Sequence, residues 1–176
     1  GRPVKADSAN VLLFTRQDFE TFPDYLVSGA DFADPRRVTD ANPQQAEYTW
    51  GTAELIEWVS NDRTPLQGIL VKPEGFDPTK KYPLMVYFYE RNSDNLHRYQ
   101  APGPGTSVNQ SFYVSRGYVY FVPDIPYEIG HPGESAIDAV VPGVLKIVNE
   151  GYIDKDRIGA QGHSWGGYQL AYMVTR

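Results

Sequence analysis

Seven residues constrain this chain more than any others: Gly162-His163-Ser164-Trp165-Gly166-Gly167-Tyr168. The serine has a glycine two residues before it and another two residues after. A short apolar run, Arg157 to Gln161, leads in, and a helical pattern, Gly167 to Val174, leads out. A serine at the apex of a strand-to-helix turn is the nucleophile-elbow arrangement. Such a turn forces the serine into a sparsely populated backbone conformation, and the flanking glycines remove side chains that would collide there. The strand needs a sheet to belong to, and the sheet needs helices to cover it.

The upstream pattern supplies both. Ala53–Val59 reads as a strand, Asn61–Thr64 as a turn and Leu66–Val71 as the antiparallel partner. Tyr82–Tyr89 and Gly117–Pro123 are continuous apolar runs, as expected of strands buried on both faces. A helical piece is predicted at 107–116 between them. Glu134–Asn149 is the clearest helix, with Ile137, Val140, Val141, Val144, Leu145 and Val148 forming one apolar stripe. Ser135 with Asp138 reads as its N-terminal cap and Gly151 as its stop. Pro142 lies inside it. An interior proline forfeits a backbone bond at about 3 kcal/mol, which predicts a kink or break. The order is two antiparallel strands, then buried strands with helical crossovers, then the nucleophile turn. This is the front half of an α/β-hydrolase sheet, and the fold class is α/β.

Residues 1–43 have a different texture. Val11–Thr15 and Pro23–Ser28 are short strand candidates, separated by turn chemistry at Asp34-Pro35 and Asp40–Pro43. Two or three strands do not make a stable domain alone. They are expected to end a larger β domain, with 44–176 as a catalytic domain truncated at its C-terminus. The chain opens on Gly1 without a signal peptide and stops twelve residues after the serine. Both ends therefore read as cut, and the chain as an internal piece of a longer protein.

Composition narrows the function. A net charge of −6 with no basic stripe argues against nucleic acid. With no cysteine there is neither a disulfide framework nor a thiolate metal site. No apolar run approaches the roughly 18–20 residues that span a bilayer. No His or carboxylate pair has HExxH-type spacing, and Gly103-Pro104-Gly105 lacks the lysine and strand–helix context of a phosphate loop. Neither metal nor cofactor is expected.

A serine hydroxyl needs a base to take its proton and donors aimed at the developing oxyanion. The Trp165 backbone N–H is the first donor, helped by the field at the helix N-terminus. The base is not evident. His97 and His131 sit in polar loops and are expected to face solvent, while the His163 side chain should diverge from that of Ser164. Hydrolases of this architecture run Ser, then Asp or Glu, then His, so both partners are expected beyond Arg176. Asp124 precedes the serine and reads as a structural turn residue. Tyr168 and Tyr172, one helical turn apart, read as core packing.

The chain resembles the prolyl oligopeptidase family of serine peptidases, nearer its dipeptidyl-peptidase-type branch. The resemblance runs through Thr39 with Asn42-Pro43-Gln44, Gly68–Pro73, Lys81–Leu84, the strand ending at Tyr89, Gly117-Tyr118, and Asp154 through Tyr168. Gly162–Tyr168, with paired glycines followed by tyrosine, is the most specific segment. The resemblance implies a β-propeller, whose end would be residues 1–43, closing on the hydrolase domain. It implies that Tyr89 gives the second oxyanion donor through its hydroxyl. Glu90-Arg91-Asn92 departs from the family's Gly-Pro continuation, and Asp124–Gly130 from its Arg-Gly-rich loop. The acidic residues that read a substrate N-terminus would lie on the propeller, outside this chain. The implied activity is serine-type hydrolysis of short peptides through a Ser164 acyl-enzyme, with these residues inactive alone. A peptide is the implied partner, and a homodimer of the parent protein is compatible with it. Export to the periplasm or outside the cell is what the family suggests, with the cytoplasm left open. The same elbow would serve an esterase or acylaminoacyl hydrolase, or survive in a non-catalytic hydrolase-like binding protein.

Overall fold

A computed structural model describes residues 2–103, 105 and 107–176. Pro104, in the segment weighed as a phosphate loop, lies outside the described residues, as do Gly1 and Thr106. The chain divides into two compact units. One comprises Gly1–Tyr48 with His97–Tyr99, the other Thr49–Leu96 with Gln100–Arg176.

The first unit is a four-stranded antiparallel meander of β1 (Val4–Lys5), β2 (Leu12–Arg16), β3 (Asp24–Ser28) and β4 (Arg36–Arg37). β2 and β3 are the two expected strands. β1 and β4 are two residues each, too short to show alternation in sequence. Asp24 is the buried polar hub. Its Oδ1 accepts the Thr39 hydroxyl at 2.6 Å and the Ala41 N–H at 3.0 Å, and its Oδ2 meets Arg37 at 2.6 Å. The Thr39 oxygen in turn accepts the Tyr25 N–H at 2.9 Å. These contacts, the Thr39 hydroxyl foremost, hold the Asp24 carboxyl below its ordinary range.

The second unit is an α/β layer built on β5 (Thr52–Val59), β6 (Pro65–Lys72), β7 (Tyr82–Phe88), α1 (Gln110–Val114), β8 (Val119–Pro123), α2 (Pro132–Asn149), β9 (Ile153–Gly162) and α3 (Trp165–Met173). The strand order is β5-β6-β8-β7-β9. β5–β6 and β6–β8 are antiparallel, whereas β7 is parallel to both β8 and β9. The expected front half of an α/β-hydrolase sheet is therefore present. One core lies between α2 and the sheet face bearing Leu84, Val86, Phe88, Val119 and Phe121.

Several local expectations need correction. Of the two apolar runs, only β8 is buried at every position; in β7, Met85 and Tyr87 on the second face are half-buried. The helical piece at 107–116 shrinks to Gln110–Val114, capped by the Asn109 side chain on the Phe112 N–H. α2 begins at Pro132, two residues early, with Pro at a first-turn position whose missing N–H costs nothing. Ser135 is therefore not the cap; its hydroxyl donates to the His131 carbonyl and accepts the Glu128 N–H. The buried stripe of α2 is also rotated. Ala136, Ala139, Val140, Gly143, Ile147 and Val148 face the core, while Val141 and Leu145 are exposed. Small residues make the contact because the sheet comes close: a Cβ on Gly143 would stand 2.9 Å from the Trp58 ring.

α2 runs unbroken through Pro142. In an uninterrupted ladder the N–H of residue 142 would donate to the Asp138 carbonyl. That carbonyl instead accepts the Asn61 N–H at 3.0 Å, from the β5–β6 turn. One residue on, the Ala139 carbonyl accepts the Trp58 indole N–H at 2.9 Å. The turn thus supplies from outside the helix the donor that proline lacks. Gly151, at φ 92°, ends the helix as expected.

Candidate active site

The carboxyl ends of three parallel strands meet at one edge of the sheet. Phe88 of β7 is in register with Gly162 of β9, and Val86 with Phe121 of β8. Tyr89 and Asp124 follow directly on the ends of β7 and β8, and Ser164 comes two residues after the end of β9. In open α/β sheets this edge is where ligands bind.

Ser164 has φ 52° and ψ −112°, outside the regions an L-residue normally occupies. Holding it there costs about 1–3 kcal/mol, so the neighbours must over-determine it. They do so through two glycines. A Cβ on Gly162 would stand 2.1 Å from the Gly166 carbonyl oxygen, and one on Gly166 would stand 2.2 Å from the Phe88 carbonyl oxygen. The turn is closed by Gly166 N–H to His163 O at 2.9 Å and Tyr168 N–H to Ser164 O at 3.1 Å. Trp165 occupies the first position of α3, where the helix offers its N–H no acceptor. Ser164 is exposed, and among the described residues no hydrogen bond engages its hydroxyl. His97, His131 and His163 are all exposed.

Tyr89 lies one residue beyond β7, on the following bend, rather than at the strand's end. It is exposed, and its Cα would be 3.5 Å from a Cβ on Gly166, which sets its backbone beside the elbow. The loop it opens is pinned from below by Asp124. This buried carboxylate accepts the Asn92 N–H at 2.7 Å and the Ser93 N–H at 2.9 Å through Oδ1, and the Ser93 hydroxyl through Oδ2. Gln67 donates to the Ser93 oxygen at 3.0 Å, and the Ile125 N–H to the Glu90 carbonyl at 3.1 Å. Asp124 therefore has the structural role its position before the serine suggests, and what it organises is the Tyr89 loop.

An aromatic wall flanks the serine. The Tyr127 ring meets Trp165 edge-on at 5.7 Å, and Trp165 stacks on Tyr168 at 5.7 Å. Tyr168 is half exposed rather than core. Tyr172 faces α2, its hydroxyl donating to Glu134 at 2.6 Å over Gly133, where a Cβ would meet the ring at 2.4 Å. The charge of the Glu90 carboxylate, followed by burial, raises the pKa of Tyr127. Gln169 is fully buried in α3 with neither amide atom partnered among the described residues. The sequence marks neither the Glu90–Tyr127 pair, which is far apart along the chain, nor the burial of Gln169 on a helix of mixed polarity.

Comparison with known proteins agrees with this geometry. The model of the prolyl oligopeptidase family matches residues 104–176, from before α1 through the elbow. Dipeptidyl peptidase 8 of Mus musculus is 29% identical over 74% of this chain and 16% of its own length. Dipeptidyl-peptidase 5 of Aspergillus fumigatus is 25% identical over 78% of this chain and 20% of its own. The crystal structure of Porphyromonas gingivalis dipeptidyl peptidase 4 superposes with a TM-score of 0.66 at 20% identity, covering 99% of this chain and 26% of that one. The chain thus spans about a fifth or less of the curated relatives named here.

Proposed function

We propose that this chain, similar through its elbow segment to the prolyl oligopeptidase family, is the nucleophile-bearing part of a serine peptidase. In this reading residues 1–43 end a β-propeller and 44–176 open the hydrolase domain. The observation that carries the proposal is the backbone of Ser164, held at φ 52° between two glycines whose side-chain space is already occupied. Strain of this kind persists where it serves a site.

The Ser164 oxygen attacks the carbonyl carbon of a peptide bond as a base removes its proton. The base and its acid belong to sequence outside these residues. Charge develops on the carbonyl oxygen, where the Trp165 N–H and the Tyr89 hydroxyl donate to it. Collapse expels the amine and leaves an acyl-enzyme, which water hydrolyses. One oxyanion donor contributes about 2.7–4 kcal/mol to such a step. Similarity to dipeptidyl peptidases supports short peptides as the substrate class.

The test uses the full-length protein. A fluorophosphonate probe should label Ser164, and Ser164→Ala should abolish both labelling and peptide hydrolysis. Tyr89→Phe should lower kcat about 10²–10³-fold with KM little changed. Labelling that survives Ser164→Ala would overturn the assignment.

A further inference from the structure

Buried polar side-chain atoms are almost always paired, and each exception calls for a cause. Among the described residues the exceptions are Asn92 Nδ2, Trp165 Nε1, and both Oε1 and Nε2 of Gln169. All belong to the loop opened by Tyr89 or to α3, the two elements that flank the serine. Gln169 is the extreme case, at 0% exposure. Turning its amide over changes nothing, because neither end has a partner to exchange. An apolar side chain of similar length would fill the place without the cost of burying two unpaired polar groups. A buried amide of this kind signals a small bound ligand.

Trp165 and Gln169 lie four residues apart on α3, so their side chains leave the same helix face with Cβ atoms about 5–6 Å apart. The indole offers one donor, and the amide offers an acceptor and a donor. What joins them must be small, neutral and able both to accept and to donate. Two hydrogen bonds of about 2.8 Å through one oxygen span a similar distance. We propose that the Trp165 indole N–H and the Gln169 amide share an internal water, which accepts from the indole and donates to Gln169 Oε1. Through that water Gln169 is a positioning residue for Trp165. The indole ring is the middle of the aromatic wall, between Tyr127 and Tyr168, and its residue follows Ser164. Holding its buried edge fixes the face that a substrate meets. The positioning role rests on the peptidase assignment above; the water does not.

A crystal structure of the full-length protein, at a resolution that shows ordered water, tests the water without any assay. One water within about 3.2 Å of both Trp165 Nε1 and the Gln169 amide supports it. A protein acceptor bonded directly to the indole, or no water common to the two groups, overturns it. Steady-state kinetics of the full-length protein on a chromogenic peptide test the positioning role. Gln169→Leu should raise KM about three- to tenfold and leave kcat within about twofold, the pattern of lost binding rather than lost chemistry. In a Trp165→Phe background, which lacks the indole N–H, the same substitution should add little, because residues joined through one contact are not additive. No effect of Gln169→Leu on KM, or an equal effect in both backgrounds, overturns the positioning role. Absence of turnover together with absence of Ser164 labelling in the unaltered protein sinks the peptidase reading and the positioning role with it, while the crystallographic result still decides the water.

Discussion

Asn61 donates its main-chain N–H to the Asp138 carbonyl, the acceptor that Pro142 leaves free in the middle of α2. The helix therefore loses little by having proline there. Pro142→Ala is expected to change stability by no more than about 1 kcal/mol, against the roughly 3 kcal/mol regained where an interior proline leaves its carbonyl bare. Chemical denaturation of the two proteins decides between these values. A gain near the larger figure would mean the Asn61 bond does not compensate.

Gly166 has no room for a methyl group, because the Phe88 carbonyl oxygen already fills the space at 2.2 Å. Gly166→Ala should separate β7 from the elbow and cost about 1–3 kcal/mol or more, as overpacking against backbone does. Fluorophosphonate labelling of Ser164 should fall with it. Gly75→Ala is a control in open space, though its φ of 66° adds strain. Labelling unchanged in Gly166→Ala would show that the elbow tolerates a wider turn than its geometry indicates.

Asp124 is a positioning residue for the Tyr89 loop. Asp124→Ala unpairs two backbone N–H groups and the Ser93 hydroxyl, at about 1–3 kcal/mol for each buried donor left without an acceptor. Asp124→Asn keeps one acceptor oxygen and should recover much of this. Kinetics separate positioning from simple loss of fold. In Asp124→Asn, kcat should drop while KM for a neutral peptide holds; a rise in KM alone would contradict the role.

The four-stranded unit should weaken in acid. The Asp24 carboxyl is held below its ordinary value of 3.8, first by the Thr39 hydroxyl, so the folded form binds a proton less readily than the unfolded chain. Its contribution is complete above that ordinary value. It is lost as the pH falls below 3.8 and through the lowered folded value. Thermal midpoints followed from pH 7 into this range should decline, and Asp24→Asn should flatten the decline. A decline of equal steepness in the variant would move the cause elsewhere.

Residues 1–176 expressed alone should self-associate. β9 pairs with β7 on one side only among the described residues, and its Ile158 and Ala160 are exposed. An open strand edge with apolar side chains is a template for pairing with another chain. Sedimentation velocity gives the answer, and a monodisperse monomer with a cooperative melt would refute the expectation.

The elbow was legible because its chemistry is local: two glycines, a serine and a helix within a dozen residues. β5, β6, β8 and the stop at Gly151 were legible for the same reason. The face of α2 was not, since Ala136, Ala139 and Gly143 carry little hydrophobicity and are buried because the sheet approaches closely. Nor was the helix's continuity through Pro142, which depends on Asn61, a donor far away in sequence. The Tyr89 loop shows the same limit. Its residues break the family pattern, and only the fold brings Asp124 beneath them and Tyr127 beside them.

The strand order has a consequence in time. β9 reaches the sheet only through β7, and the glycine that braces Ser164 does so against the last carbonyl of β7. During synthesis every strand that holds the serine emerges before the serine does. A nascent chain with β5 to β8 already paired has no strained serine, and the strained turn arises only when β9 docks. The strain at Ser164 is thus coupled to the docking of β9 on β7, so that the elbow takes its shape only after the strands that brace it have been made.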